Sequence, residues 1–269
     1  DTENKLNIII PPVKEFLVIV SGKEDFAYSN YLRDFYSLKE TIIDHNNPGT
    51  NNELIIQILS DSYQFCMENP ISDMFFGELH VFSFIMNLYG DHFVDNGLNM
   101  SAKLIEFLNG SNPTITVECL TCLIKIVSNL GENCSNILPQ LKEQIGLAFE
   151  SECPEIIIQV SRLLGSLFAK TGPLMYDVLE VSVDKISQQI SKALSGSEYA
   201  IYFSNQIHYL IKPLAKILDS IPREEPICLH IRDQLLPIFY CILNTYKSKD
   251  KFENESFLKA MVMAYRSIV

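Results

Sequence analysis

The stretch Asn112–Gly131, NPTITVECLTCLIKIVSNLG, has a proline next to its start and a glycine at its end. Between them apolar residues recur at steps of three and four, the spacing of one face of an α-helix. Proline is tolerated in a first helical turn because its missing amide would have no intrahelical partner there. Glycine suits the left-handed residue that follows a helix. The stretch therefore predicts one helix that begins at Pro113 and ends at Gly131.

The same pattern recurs along the chain with a period of 41 residues. It returns 41 positions later as PEIIIQVSRLLGSLFAKTG, Pro154–Gly172, and 41 positions earlier as SDMFFGELHVFSFIMNLYG, Ser72–Gly90. A chain with 11 glycines keeps this spacing at glycines 49, 90, 131 and 172. Each quoted stretch ends in a glycine, and a second apolar helical pattern follows that glycine. Each unit is therefore predicted to be a pair of helices, A and then B.

The apolar positions of each pair predict its core. In helix A they are Val117, Leu120, Leu123, Ile126, Val127 and Leu130. In helix B they are Ile137, Leu138, Leu141, Ile145 and Phe149, and in the next unit Leu179, Val183, Ile186 and Ile190. Downstream, a long helix is expected from about 198 to 218, with a kink at Pro213, and another begins near Pro226.

These helix pairs predict an all-α fold, a right-handed α-solenoid (superhelix) of about six stacked antiparallel helix pairs with no strand. The whole chain, 1–269, is expected to form one solenoid. Because it begins at Asp1 without a Met and Val269 lies inside a helical pattern, we expect a segment of a longer protein. The predicted units are approximately 29–71, 72–112, 113–153, 154–194, 195–247 and a partial 248–269.

A two-helix repeat of this length resembles the HEAT and armadillo families. The resemblance covers about 29–246 and rests on the period, on the proline near the start of helix A, and on ILPQL at the start of helix B, Ile137–Leu141. Many HEAT units carry an Asp and a basic residue at fixed inner positions. Here Lys142 and Lys185 do not fall in equivalent register, so the chain is described as HEAT-like. The resemblance implies a long protein-binding surface lined by the B helices.

The pair Cys119 and Cys122 has the Cys-x-x-Cys spacing of zinc and redox sites. A zinc site needs four ligands, and no second such pair occurs. In the next repeat the same positions hold Val160 and Leu163, and buried cysteine behaves as a small apolar residue. We therefore predict that both cysteines lie in the core and bind no metal.

Composition restricts the partners. Against 21 basic residues the chain has 33 acidic ones, a formal net charge of −12. Such a surface repels phosphates and anionic lipids, so no direct nucleic-acid binding and no membrane insertion are expected. Other proteins, including basic proteins or peptides, are the expected partners. Seven scattered cysteines in apolar runs are typical of reduced thiols in the cytoplasm or nucleus.

No catalytic arrangement emerges from the sequence. His80 and His208 lie in helical patterns without a nucleophile or acid–base partner at a recognisable spacing. No nucleotide-binding, nucleophile-elbow or zinc-protease motif occurs. We therefore expect a protein that is not an enzyme and needs no cofactor.

The B helices supply the candidate binding residues. Polar residues that are expected to point away from the apolar stripe are Gln140, Glu143, Gln144, Glu180, Asp184 and Gln188. The order of GELHVFSFI and TVECLTCLIKIVSNLGENCSNILPQL is similar to the middle regions of importin-β-type karyopherins. That resemblance implies a nuclear transport receptor that recognises protein cargo and a small GTPase. The alternative is a structural scaffold arm of a large multiprotein assembly or of a giant HEAT-repeat kinase.

Overall fold

The computed structural model describes residues 52–108, 112–194, 207–222 and 224–247, together with Val262 and Arg266. Within these ranges every regular element is helical and none is a strand, as the sequence predicts. The α-helices are α1 (Asn52–Glu68), α2 (Asp73–Tyr89), α3 (Val94–Phe107), α4 (Pro113–Leu130), α5 (Leu138–Ala148), α6 (Pro154–Thr171), α7 (Tyr176–Leu194), α8 (Ile207–Ser220) and α9 (Pro226–Lys247). Short 3-10 turns lie at Gly90–His92, Gly131–Asn136 and Gly172–Met175.

The described residues divide into two compact units, with the boundary between Met100 and Ser101. In the first, α1 packs against α2. Their fully buried side chains include Leu59, Phe75 and Phe82. The predicted unit 29–71 begins outside the described residues, and Gly49 also lies outside them. That 1–269 is a single solenoid segment divided into these repeat units stays a prediction.

Two helices of the second unit reproduce the predicted period. Helices α4 and α6 have 18 residues each, and both their first and last residues are 41 positions apart (154 − 113 and 171 − 130). Asn112 caps α4, where its side chain accepts a hydrogen bond from the Thr114 amide. Ser72 caps α2 in the same manner and accepts from the Phe75 amide. A polar cap followed by an apolar run thus begins both helices.

The glycines at the ends of these helices have a conformation that differs from the expected left-handed one. Gly131 has φ 59° and ψ −134°, and Gly172 has φ 49° and ψ −119°. These angles match the first central residue of a type II′ turn, which also favours glycine. The prediction for Gly90 is wrong, since its φ of −57° and ψ of −31° are helical. The chain continues there directly into the turn Gly90–His92.

The second unit is built from two layers of helices. Helix α6 packs against α4 on one side and α8 on the other, which forms the A layer, and α7 packs against α9 in the B layer. Every predicted B-helix core residue is buried, as are all the predicted A-helix residues of α4 except Val117, which is half-buried. The expected alternation of A and B helices is therefore confirmed in these described helices.

A close contact joins α6 to α8. A Cβ placed on Gly165 would lie 3.0 Å from Pro213 Cβ and 3.1 Å from Pro213 Cα. The absence of a side chain at Gly165 therefore lets the two helices approach. Pro213 lies inside α8, which begins at Ile207, so the predicted part at 198–206 lies outside the described residues.

One stretch in the described part, Pro113–Asn136, is long and apolar enough to cross a membrane by length and composition. A buried core helix passes the same test. Here Leu120, Leu123 and Ile126 of α4 have no exposed surface. The apolar side of this helix is used in packing against α6.

Candidate functional site

The two cysteines of the opening stretch lie in the core. Cys119 and Cys122 are fully buried, and so are their repeat equivalents Val160 and Leu163. Burial, followed by the neighbouring Cys122 and a nearby acidic side chain, raises the pKa of the Cys119 thiol far above its usual range. Because the thiolate is the nucleophilic form, this buried thiol is poorly suited to redox or nucleophilic chemistry. Among the residues described, no group of three or more metal-ligating side chains comes together.

Two ion pairs join α5 and the segment after it to α7. Lys142 Nζ lies 2.7 Å from Asp177 Oδ1 and 2.9 Å from Oδ2. Lys185 Nζ lies 2.7 Å from Glu150 Oε1. The partners in both pairs are 35 positions apart (177 − 142 and 185 − 150), so the same alignment of the two segments produces both.

A histidine joins α7 to α9. His230 Nε2 of α9 lies 3.7 Å from Asp184 Oδ1 and 3.9 Å from Glu180 Oε1. The Asp184 and His230 atoms are shielded from solvent, and neither has a hydrogen-bond partner in the described structure. A protonated imidazole here would attract two carboxylates of the neighbouring helix.

A cavity of about 370 Å³ lies where the end of α5 meets the second half of α7. It is lined by Phe149, Glu150, Ser151, Glu152, Lys185, Gln188, Gln189 and Lys192. Both charge signs are present, and the amides of Gln188 and Gln189 add donors and acceptors. This cavity therefore suits a polar ligand such as a peptide backbone with charged side chains.

The predicted binding residues have different positions. Gln140 and Glu143 are exposed on α5, and Glu180 and Gln188 are exposed on α7. We call these four residues the B-helix surface.

Two of the predicted residues do not share that exposure. Asp184 is half-buried beside His230. Gln144 was expected to point outward, but it is 7% exposed. Its position three residues after Leu141 places it on the buried face of α5, next to Ile145. Its Oε1 accepts no hydrogen bond from the described residues.

The ion pairs were not predicted, although their residues are visible in the sequence. A search at the repeat spacing of 41 cannot find pairs that lie 35 apart. Part of the difference arises in the turns, since α7 begins 38 rather than 41 residues after α5 (176 − 138). The turn Gly172–Met175 before α7 is shorter than the turn Gly131–Asn136 before α5. Lys142 and Lys185, judged out of register from the sequence, therefore both serve one interface.

Comparison with known proteins supports the fold. No protein-family model matches the chain, and no curated protein matches it. Among solved structures, the chain is similar to a designed armadillo repeat protein in complex with the peptide (KR)4, with a TM-score of 0.54 and 13% identity. The match covers 95% of this chain and 98% of that one. The chain therefore folds as an all-α, armadillo/HEAT-like solenoid.

Proposed function

We propose that this protein is a non-catalytic solenoid that binds other proteins through the B-helix surface, with a basic peptide segment as its ligand. The observation that carries the proposal is the exposure of Gln140 and Glu143 on α5 together with Glu180 and Gln188 on α7. Helices α5 and α7 contact each other, and Gln188 of this surface also lines the cavity of about 370 Å³.

The chemistry of the surface favours a peptide. Glutamine amides both donate and accept, so Gln140 and Gln188 can bind the backbone of an extended peptide. Glu143 takes part in no ion pair among the described residues, so its carboxylate is available for a cation. The net charge of −12 attracts basic segments over a longer range. The solved structure with the similar fold holds (KR)4, a basic peptide, which supports the same ligand class here.

The specific role that we propose is a segment of a nuclear transport receptor of the karyopherin type, which recognises protein cargo and a small GTPase in the cytoplasm and nucleus. The acidic charge and the degenerate helical repeats support it. The alternative role is a scaffold arm of a large assembly or of a giant HEAT-repeat kinase, which the same repeats would also suit.

Binding can be tested with a fluorescein-labelled (Lys-Arg)4 peptide and fluorescence anisotropy. We expect the double variant Glu143→Lys/Glu180→Lys to bind about tenfold more weakly, because each reversal replaces an attraction with a repulsion. Glu132→Lys is the matched control, since Glu132 is exposed in the turn before α5 and outside the surface. Equal affinities for the double variant and the unmodified protein would contradict the proposed site.

The two roles differ in their partners. A transport receptor should retain a GTP-loaded small GTPase of the nuclear transport system in a pull-down and release it in the GDP-loaded state. A scaffold arm should instead co-purify with fixed partners at constant stoichiometry and ignore the nucleotide state. Absence of GTPase binding by the full-length protein would rule against the transport role and leave peptide binding as a separate question.

A further inference from the structure

A second cavity lies in the other layer of helices. It has a volume of about 300 Å³ and forms where the three A helices α4, α6 and α8 come together. Its lining residues are Ile124, Arg162, Gly165, Ser166, Tyr209, Lys212, Pro213 and Lys216. No residue of the B-helix surface lines it.

The charge of this cavity is opposite to that of the protein. Three of its lining residues are cations, Arg162, Lys212 and Lys216, and none is acidic. The Arg162 guanidinium is exposed and donates to the neutral amide of Gln159 at 2.9 Å. Neither Lys212 nor Lys216 forms an ion pair with any carboxylate of the described residues. A chain with a net charge of −12 thus concentrates three cations around one opening.

The remaining walls are apolar. Ile124 and Pro213 are buried, and the close contact between Gly165 and Pro213 fixes the floor where α6 meets α8. Tyr209 is 40% exposed and lies at the rim. An exposed aromatic ring beside apolar walls is typical of sites that bind a side chain of a partner.

We propose that this cavity is a docking site for an acidic–hydrophobic peptide segment of a partner protein. One apolar side chain of the segment lies against Ile124, Pro213 and Tyr209. Carboxylates on either side of it pair with the three cations that line the cavity. A volume of about 300 Å³ is at the lower end of the range for ligand pockets and is sufficient for one large side chain. The site shares no residue with the B-helix surface, and it binds an acidic segment where that surface binds a basic one.

The test uses the full 269-residue chain and a fluorescein-labelled peptide, Gly-Asp-Glu-Leu-Glu-Asp-Gly, in fluorescence anisotropy. A second peptide replaces the Leu with Ser. We expect saturable binding of the Leu peptide, affinity at least about fivefold lower for the Ser peptide, and weaker binding as salt increases. The variant Arg162→Glu/Lys216→Glu should lose about tenfold or more in affinity, because both side chains are exposed and lie at the site.

Lys170→Glu is the matched control, since Lys170 is exposed on α6 but does not line the cavity. We expect it to bind the Leu peptide within about twofold of the unmodified protein. Circular dichroism checks that each variant stays helical. Three results would overturn the proposal: equal affinity for the two peptides, no loss in the double variant, or an equal loss in Lys170→Glu, which would indicate only general charge attraction.

Discussion

The Lys142 ammonium lies 2.7 Å from the Asp177 carboxylate, and eight residues further along both segments Glu150 and Lys185 form a second pair of opposite polarity. The lysine belongs to the α5 side in the first pair and to α7 in the second. If α7 slid by eight residues, Lys185 would face Lys142 as a like charge (177 + 8 = 185). The two pairs therefore favour a single alignment of neighbouring B helices.

Breaking the Lys142–Asp177 pair and then restoring it with exchanged charges should show how much it contributes to the free energy of unfolding. We expect Lys142→Asp to lower the free energy of unfolding by about 0.2–1 kcal/mol, because exposed ion pairs contribute amounts of this size. The double variant Lys142→Asp/Asp177→Lys should recover most of the loss, since it restores opposite charges. Urea unfolding of the single and double variants measures both effects. Two results would contradict a coulombic pair: a double variant whose loss of stability is the sum of the losses from its two substitutions, or a loss in Lys142→Asp that stays the same in about 1 M salt.

Two glycines with open space where a Cβ would lie should respond in opposite ways to alanine. Neither Gly131 nor Gly146 has a neighbour that such a Cβ would meet, but only Gly131 has a positive φ. Gly131→Ala should destabilise the fold by about 1–3 kcal/mol through backbone strain. Gly146→Ala, inside α5, should stabilise it by about 0.5–1 kcal/mol. Thermal and urea unfolding measure both, and stabilisation by Gly131→Ala would disprove the strained conformation.

The repeat could be predicted from the sequence because it depends on short-range signals. Pro113, Pro154 and the spacing to Gly131 and Gly172 fix α4 and α6 to the residue, and the apolar steps identify their buried sides. Such signals act within one helix, where the chain itself sets the spacing.

The contacts between helices could not be predicted in the same manner. The pair of Lys142 and Asp177 depends on how far the turns displace α7 along α5, and the burial of Gln144 depends on the angle at which α5 packs. The cavity around Arg162 and Lys216 needs residues from three helices that are distant in the sequence. Each of these features follows from tertiary packing, which the 41-residue pattern does not contain.

Thiol labelling should separate buried from accessible cysteines. Cys119, Cys122 and Cys134 are fully buried, and burial raises the pKa of Cys134 to about 11. Cys153 is half-buried and donates to Glu155 Oε2 at 3.2 Å. In the folded protein at about pH 7.5 we therefore expect iodoacetamide to modify Cys153 first among the six described cysteines, as measured by mass spectrometry of the digested protein. Rapid labelling of Cys119 before unfolding would contradict its core position.

Replacement of the cysteine pair by its repeat equivalents should be tolerated. We expect Cys119→Val/Cys122→Leu to keep its helical circular dichroism and to lower the free energy of unfolding by about 1–3 kcal/mol, since both new side chains are larger than cysteine and added carbon atoms in a packed core cost amounts of this size. Cys119→Asp is the contrasting variant, and it should destabilise strongly because it buries a charge. Zinc bound at one ion per chain and lost in the double variant would overturn the core assignment.

A buried carboxyl in the first unit has an altered proton affinity. Ser62 Oγ of α1 donates to Glu78 Oε2 of α2 at 2.6 Å, and both residues are buried. Burial raises the pKa of Glu78 above its ordinary value of 4.5, the Ser62 hydrogen bond lowers it in part, and the charge of Asp61 raises it further. The folded state therefore binds this proton more tightly than the unfolded chain.

This carboxyl should make stability depend on pH. The contribution of protonated Glu78 is fully present below pH 4.5 and is lost as the pH rises through its raised folded-state pKa. Glu78→Gln cannot ionise and can still accept the Ser62 hydrogen bond, so it should be more stable than the unmodified protein at about pH 8, with a difference that shrinks towards pH 4.5. Glu68→Gln is the control, since Glu68 is exposed on α1 and also accepts a hydrogen bond, from Gln64. Urea unfolding at several pH values measures the difference, and a gain for Glu78→Gln that is constant with pH would show that ionisation is not its cause.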